Sequence, residues 1–182
     1  FDKENMKSVK VQPLRETIKK RQCVIPQSPG VYCWWFEEEG AKALLKALPG
    51  VDLSKIQSRM VDNKRWLALY FGISKDLRGR ICWHMTQHHS LSSVNSGYIS
   101  TLRLSLSALL GAPATEAEDA VNSFMDQYCV IDYKPVENMD EAELIEKKEL
   151  STKLYPLNIT NNRFVDHSIT TALKKLRKEY KH

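Results

Sequence analysis

The sequence lacks any long apolar run and any closely spaced pair of cysteines. No stretch approaches the roughly 20 apolar residues that a membrane-spanning helix needs, so we expect no membrane partner. The four cysteines, Cys23, Cys33, Cys82 and Cys129, are widely spaced and form no CxxC pair. A disulfide framework or a cysteine zinc site is therefore not expected, whereas reduced thiols in a cytoplasmic protein are.

Internal repeats and low-complexity tracts are also missing, and the first ten residues have no apolar core. We therefore expect no secretion signal, and because there is no initiator Met we expect that a tag or a longer natural start is missing. With 182 residues, 42% of them hydrophobic and 27% charged, the chain has the composition of one soluble globular domain.

The net charge of +5 is unevenly distributed. Residues 1–30 carry seven Lys and Arg against three acids, residues 163–182 carry six against two, and the stretch 115–149 is acidic. Basic ends around an acidic centre suit a phosphate-binding rim around a metal-binding carboxylate. The alternative is that these charge runs are only solvated faces.

Periodicity and turn signals predict three strands and a series of helices. The predicted strands are 31–36, 66–73 and 128–136, and Pro135 indicates that the third is an edge strand or ends there. Helices are predicted at 14–21, 76–87, 99–110, 115–125, 140–154 and 167–180. We expect an α/β (α+β) domain with a small central three-stranded antiparallel sheet flanked by helices.

Two tripeptides lie on the first two predicted strands: Gly30-Val31-Tyr32 and Tyr70-Phe71-Gly72. An Arg follows ten residues after Tyr70, and a His follows four residues after that Arg. A Glu lies on the predicted helix 140–154, and an Asn lies twelve residues beyond the Glu. The six positions are Tyr32, Tyr70, Arg80, His84, Glu146 and Asn158. In this order they resemble the GIY-YIG endonuclease family, and the resemblance covers about residues 29–160.

The sequence departs from the family pattern at two points, and one further segment is similar to family members. Thirty-seven residues separate Tyr32 from Tyr70, far more than is usual in the family, so we expect an insert at 37–65. Val31 and Phe71 replace Ile, which is an apolar exchange. The segment from Ser100 to Leu110 is similar to one in free-standing prokaryotic members. The expected organisation is a basic extension at 1–28, the nuclease-like domain at 29–160, and a basic helix at 161–182 packed on or extending it.

The family likeness implies divalent-metal-dependent hydrolysis of DNA phosphodiester bonds, and RNA as substrate stays open. Mg²⁺ (or Mn²⁺) would bind Glu146, and a Tyr would activate the attacking water, with Tyr32 as first choice and Tyr70 as second. Arg80 would stabilise the phosphate, and Asn158 would organise the site or contact phosphate. The alternative function is a catalytically inactive nucleic-acid-binding module on the same scaffold. A monomer and a dimer both stay open.

The residues themselves give partial support for these roles. Arg80 and His84 are i and i+4 on a predicted helix, so both could grip a phosphate from one face, or both could be solvated surface residues. His84 and His88 have the spacing of a helical zinc pair, but no third ligand is evident. On a helical wheel Glu146 lies in an apolar stripe, which the following residues form: Met139, Ala142, Leu150 and Leu154. A carboxylate there faces the protein body and needs a cation or donors.

Further basic residues are predicted to bind nucleic acid. They are Arg78, Arg103, Lys174, Lys175, Arg177 and Lys178. The last four belong to the basic C-terminal helix, for which the alternative is that it packs on the domain with its lysines in water.

Overall fold

A computed structural model of the chain describes residues 6–182, so the first five residues of the predicted basic extension lie outside the description. The described part contains five β-strands, eight α-helices and a short 3₁₀ turn at Leu53–Lys55. The strands are β1 Lys7–Lys10, β2 Gly30–Glu37, β3 Ser58–Val61, β4 Lys64–Ser74 and β5 Cys129–Pro135. The helices are α1 Val11–Lys19, α2 Glu38–Leu45, α3 Leu77–Thr86, α4 Leu91–Asn95, α5 Thr101–Leu109, α6 Glu118–Tyr128, α7 Met139–Thr152 and α8 His167–Glu179.

The strands form one antiparallel sheet in the order β1-β5-β2-β4-β3. The mixed architecture and the antiparallel sheet flanked by helices are confirmed, but the prediction of three strands was wrong. The third predicted strand, β5, lies between β1 and β2, so Pro135 marks a strand end and not an edge strand. Arg59 on β3 forms an ion pair with Asp132 on β5, because the sheet curls and brings distant strands together.

Both missed strands are short and polar, and so lack the alternation on which strand prediction depends. β3 pairs with β4 through a two-residue turn at Asp62 and Asn63, both with positive φ. Two consecutive left-handed residues are what a tight hairpin turn requires, and Asp and Asn tolerate them better than other non-glycine residues. The turn residues in the sequence were the available signal for this hairpin.

β2 is buried on both faces, and its side chains divide the core in two. Tyr32, Trp34 and Phe36 face the larger cluster, which packs against α1, α2, α3, α5, α6 and α8. Val31, Cys33 and Trp35 face a smaller cluster covered mainly by α7. The apolar run GVYCWWF is therefore a central strand with helices on both sides.

The predicted insert and the two predicted extensions all contribute to the core. Leu44 of α2, Leu14 of α1 and Leu173 of α8 are buried in the same cluster. α8 packs along α5, and Ile169 and Leu173 form its buried side. The boundaries near 28 and 160 stay predictions, but the residues beyond them pack into the same interior.

The four cysteines are free thiols, with Cys33 and Cys129 buried in the sheet and Cys23 and Cys82 partly exposed. Within residues 6–182, every helix is too short or too polar to cross a membrane.

Candidate active site

A cleft of about 250 Å³ opens where β2 and β4 meet the loop that follows α7. The cleft also receives residues from α3, α7, α8 and the first turn of α5. Five of the six positions of the sequence motif line it: Tyr32, Tyr70, Arg80, Glu146 and Asn158. A larger cavity of about 710 Å³ lies near β1, β3 and α6, but it contains none of these six residues.

The two tripeptides lie side by side because β2 and β4 pair antiparallel, with Tyr32 opposite Gly72 and Trp34 opposite Tyr70. The Tyr32 ring passes directly over Gly72, and a Cβ at that position would lie 2.5 Å from the phenolic oxygen. Glycine is therefore required there by the close approach of an aromatic ring. The ring centroids of Tyr32 and Tyr70 are 6.4 Å apart.

Gly30 is fixed in the same way at the start of β2. A Cβ there would lie 2.6 Å from the carbonyl oxygen of Lys134 and 2.4 Å from the side chain of Leu77. The backbone carbonyl cannot move aside without breaking the pairing of β2 with β5. The glycines of both tripeptides thus allow the strands and α3 to approach closely enough to form the cleft.

His84 does not line the cleft, contrary to the prediction that it grips a phosphate together with Arg80. Its side chain is fully buried behind Tyr32. Nε2 lies 2.8 Å from the Tyr32 hydroxyl, and Nδ1 lies 2.6 Å from Oγ of Ser100. An i,i+4 pair shares one side of a helix, but α3 is oriented so that Arg80 is exposed and His84 points into the core.

The burial of His84 and Tyr32 changes their protonation. Burial lowers the pKa of His84 to about 3, and the positive charges of Arg80 and Arg103 lower it as well. Burial raises the pKa of Tyr32 well above its usual value, Tyr70 raises it further, and Arg80 opposes the shift. At neutral pH the pair is therefore a neutral phenol bonded to a neutral imidazole.

Arg80 is exposed at the mouth of the cleft, where its guanidinium lies 5.0 Å from the ring centre of Trp83. Arg177 reaches the same cleft from α8 and donates a hydrogen bond to the carbonyl oxygen of Thr101. Its Nε is buried and has no hydrogen-bond partner within the described chain. Two guanidinium groups therefore converge on one small cavity.

Glu146 is half-buried on α7, as its place in an apolar stripe predicted, with Ala142 and Leu150 buried in the smaller core cluster. Burial raises the pKa of the Glu146 carboxyl, and the neighbouring Glu143 raises it as well. Glu146 makes no hydrogen bond and no ion pair with any residue of 6–182. A partly desolvated carboxylate without a protein partner fits a cation ligand.

The flanking carboxylate Glu149, in contrast, is fully buried and already has partners. It accepts hydrogen bonds from the Tyr155 hydroxyl at 2.7 Å and from Nζ of Lys153 at 2.9 Å. Its role is therefore structural, on the side of the sheet that α7 covers. Leu154, which the helical wheel placed in the same stripe, lies beyond the end of α7 but is buried.

Asn158 ties the loop after α7 to β4. Its Oδ1 accepts from the Phe71 N–H at 2.8 Å, and its Nδ2 donates to the Phe71 carbonyl oxygen at 2.8 Å. Because Phe71 stands between Tyr70 and Gly72, this pair of bonds fixes the strand that carries the second tripeptide. Asn162 in turn donates to the Asn158 carbonyl oxygen and holds the loop.

Two of the residues predicted to contact nucleic acid, Arg103 and Arg78, bond to backbone carbonyl groups of the fold. Arg103, fully buried, donates to the carbonyl oxygens of His84 and Met85, which are end groups of α3 without helical partners. Arg78 is half-buried and donates to the carbonyl oxygen of Ile25. Both arginines satisfy carbonyl groups of the fold. Full burial of Arg103 corrects the prediction that it contacts nucleic acid, whereas for half-buried Arg78 that contact stays a prediction.

The basic side chains of α8 divide into two groups. The predicted contacts Lys174, Lys175 and Lys178 are exposed to solvent, whereas Arg177 points into the cleft. The sequence analysis assigned these three lysines and Arg177 to one nucleic-acid-binding surface and missed this division. The signal that could have separated them is the amphipathic pattern of α8, in which Leu173 and Leu176 face the domain and Arg177 adjoins them.

A zinc site at His84 and His88 finds no support in the geometry, because both nitrogens of His84 have partners and exposed His88 is hydrogen-bonded to Glu118. Within residues 6–182 no three or more His, Cys, Asp or Glu side chains are grouped so that they could hold a metal ion. Glu146 is the carboxylate that lines the cleft, and the other cleft oxygens come from hydroxyl, amide and backbone groups.

Comparison with known proteins identifies the family. No curated protein and no solved structure matches the chain. A family model described as the GIY-YIG catalytic domain matches residues 30–179, which include both tripeptides, the insert and α8. Members of this family are nucleases that act on DNA, and the match supports nuclease activity in general. Since the match extends over most of the sequence, the chain belongs to the GIY-YIG family.

Proposed function

We propose that the chain is a divalent-metal-dependent endonuclease that hydrolyses DNA phosphodiester bonds in this cleft. The observation that carries the proposal is the convergence of Tyr32, Tyr70, Arg80 and Glu146, which are far apart in sequence, on one cavity. A cleft with two guanidinium groups, a carboxylate and two phenols offers both phosphate binding and proton transfer.

Arg80 and Arg177 would hold the scissile phosphate. Arg177 is half-buried without an acidic partner in the described chain, and burial lowers the pKa of its guanidinium although the nearby Tyr70 raises it. Leaving a cation partly desolvated is costly, and an anionic phosphate in the cleft would offset that cost. Both groups would then stabilise the negative charge that develops on the phosphate oxygens during attack.

Tyr32 would accept the proton of the attacking water with the help of His84. The water oxygen forms a bond to phosphorus while the bond from phosphorus to the 3′ oxygen breaks. The water proton passes to the Tyr32 oxygen, and the Tyr32 proton passes to Nε2 of His84 when Nδ1–H donates to Ser100. The leaving 3′ oxygen takes a proton from solvent, and His84 returns its proton through Tyr32 to solvent, which gives 5′-phosphate and 3′-hydroxyl ends.

Proton transfer from Tyr32 to His84 would help because a tyrosine alone is a weak base. A phenol with a raised pKa holds its proton at neutral pH and is a poor base on its own. The bond to His84 gives that proton a place to go, although the imidazolium that forms is disfavoured by burial. The negative charge of a bound phosphate would offset the repulsion between that imidazolium and Arg80.

Glu146 would hold Mg²⁺ or Mn²⁺, since hard divalent cations prefer oxygen ligands and this half-buried carboxylate lacks a protein partner within residues 6–182. When bound, the ion would polarise a phosphate oxygen and stabilise charge on the leaving 3′ oxygen. Asn158 would not be a ligand, because both atoms of its amide are bonded to Phe71. It would act by positioning β4.

The test is to incubate the purified chain with supercoiled plasmid in Mg²⁺, Mn²⁺ or EDTA, beside Glu146→Gln and the control Asp140→Asn, an exposed acid of the same helix. We expect nicking or linearisation with either cation by the wild type and the control, and a loss of roughly a thousandfold or more for Glu146→Gln. Mg²⁺ should also raise the melting temperature of the wild type and not of Glu146→Gln.

The same assay distinguishes the alternatives. DNA binding without cleavage under every cation would favour an inactive binding module. Full cleavage by Glu146→Gln would place the metal site elsewhere. A single-stranded RNA of matched sequence tests whether RNA is also cut.

A further inference from the structure

A second groove, of about 690 Å³, adjoins the cleft and shares Arg80 and Ile73 with it. Its lining adds Trp83 and Tyr98 as aromatic walls and exposed Lys75 as a second cation. Asp76 also lines the groove, and its carboxylate accepts from the Gly79 N–H at the start of α3. The groove therefore continues outward from the proposed phosphate site with two aromatic rings, two cations and one acid.

Tyr98 is the most exposed aromatic side chain among the exposed large hydrophobic residues of the described chain, with 71% of its surface accessible. Its ring centre is 5.9 Å from that of Trp83, with an angle of 59° between the ring planes. The guanidinium of Arg80 in turn lies over the Trp83 ring, 5.0 Å from its centre. Three planar groups thus extend in sequence from the mouth of the cleft to solvent: Arg80, Trp83 and Tyr98.

The position of Tyr98 is fixed despite its exposure. Gln87, at the end of α3, donates from Nε2 to the carbonyl oxygen of Tyr98 at 2.7 Å and accepts from the N–H of Ser100 at 2.6 Å. One side chain thus clamps the backbone on both sides of Ile99, which is itself buried. The backbone that carries the exposed ring is thus held together with Ser100, the partner of His84.

An exposed aromatic ring on a held backbone, in a groove with two cations, leaves apolar surface in water that a core role does not explain. Nucleobases stack on such rings irrespective of their identity, and the adjacent cations meet the phosphates on either side of the base. A base inside an intact duplex is already stacked on its neighbours and leaves no open face for a side chain. The groove therefore suits a base that has left the stack.

We propose that Tyr98 and Trp83 form a stacking site for an unpaired nucleobase next to the scissile phosphate. This inference rests on the proposed nuclease function, because it takes the cleft at Arg80 as the place of the phosphate. It identifies the preferred substrate as a nucleic acid strand that is single-stranded or distorted at the point of cleavage. Trp83 acts mainly by supporting Tyr98 and Arg80, and Tyr98 offers the open face.

The test compares two strands of equal length in EDTA, so that cleavage does not interfere: a single-stranded DNA oligonucleotide and a fully abasic strand with the same phosphates. We expect Tyr98→Ala to bind the DNA oligonucleotide roughly tenfold more weakly than the wild type and to bind the abasic strand equally well. Tyr98→Phe and Tyr98→Trp should retain the wild-type preference for the strand with bases. Phe164→Ala, which removes an exposed aromatic outside both grooves, should change neither affinity.

Equal loss on both strands for Tyr98→Ala, or no loss on either, would overturn the stacking site. A thermal melt of Tyr98→Ala close to that of the wild type shows that any loss is not due to unfolding. The underlying function fails in a different way: a wild type that cuts neither plasmid nor the single-stranded oligonucleotide under any cation contradicts the nuclease proposal. A wild type that cuts plasmid while Tyr98→Ala binds both strands normally contradicts only the stacking site.

Discussion

The phenolic oxygen of Tyr32 lies 2.8 Å from Nε2 of His84, and both side chains are almost completely buried. Tyr32 lines the cleft, whereas His84 does not and is bonded to the Tyr32 hydroxyl. In the proposed mechanism the histidine therefore acts on the tyrosine and not on the phosphate. This arrangement also distinguishes the two motif tyrosines, because Tyr70 has no such bond to an imidazole within residues 6–182.

Tyr32→Phe should lower the cleavage rate by roughly a hundredfold or more while DNA affinity stays the same. The change removes the hydroxyl that would take the proton from water and keeps the ring packed over Gly72. Single-turnover cleavage together with a binding titration in EDTA measures both effects. Tyr70→Phe should have the smaller effect, and the reverse order would make Tyr70 the base.

Acid should destabilise the fold through His84. Its pKa in the folded chain is about 3, below the ordinary value of 6.5, so the unfolded chain binds more protons between those values. Stability contributed by the neutral imidazole is thus fully present above about pH 6.5 and is lost as the pH falls toward 3, by up to about 1.4 kcal/mol per pH unit. Urea unfolding at pH 7, 6 and 5 measures the slope.

The matched variants for this slope are His84→Gln and His182→Gln. The first replaces the buried imidazole by a group that does not titrate, so the variant should show a flatter slope. The second changes an exposed histidine and should leave the slope as it is. Equal slopes in the wild type and His84→Gln would mean that other groups, such as His89, whose pKa burial also lowers, govern the acid response.

Asn158→Ala should destabilise the fold by about 2–4 kcal/mol, because two hydrogen bonds to the backbone of Phe71 are lost in a buried place. Asn158→Asp should be no better, since a carboxylate oxygen would then face the Phe71 carbonyl oxygen. Thr160→Ala, in the same loop but exposed, serves as the control in denaturant titrations. A loss of cleavage without any loss of stability would instead assign Asn158 a direct contact with the substrate.

The sequence was sufficient for the parts of the site that local patterns determine. Strands β2 and β4 and helix α7 could be predicted from the pattern of apolar residues. The order of the motif residues could be predicted from their spacing along the sequence. The close contact of Tyr32 with Gly72 could not, since it depends on the register between two strands separated by the insert.

Side-chain direction accounts for most of the errors. His84 and Arg103 are polar residues on helices, and composition favours a surface position for such residues. Their burial depends on how α3 and α5 pack, where Arg103 bonds to carbonyl groups at the end of α3 and His84 bonds to Tyr32 and Ser100. Such tertiary partners leave no local signal, and β1 and β3 were missed for the related reason that short polar strands are defined by their neighbours.

The basic residues of α8 should separate into two functional groups. Arg177 lines the cleft, so Arg177→Gln should lower the rate of cleavage at saturating protein by roughly a hundredfold, as expected for the loss of one charge-stabilising donor. Neutralising the exposed Lys174, Lys175 and Lys178 together should instead weaken DNA binding for all sequences and leave the saturated rate nearly unchanged. It should also flatten the salt dependence, because each phosphate contact contributes a slope of roughly −0.9 in log K against log salt.

Cleavage at saturating protein and binding titrations between low and moderate salt measure the two effects separately. Arg177→Lys retains the charge but not the planar fork, so a partial recovery of the rate would indicate that charge matters more than bidentate geometry. If the triple lysine variant binds DNA with an unchanged salt slope, those lysines are only solvated and the DNA lies against another face. If Arg177→Gln lowers only the affinity for DNA and not the cleavage rate, Arg177 contributes to DNA binding in the same way as the three lysines.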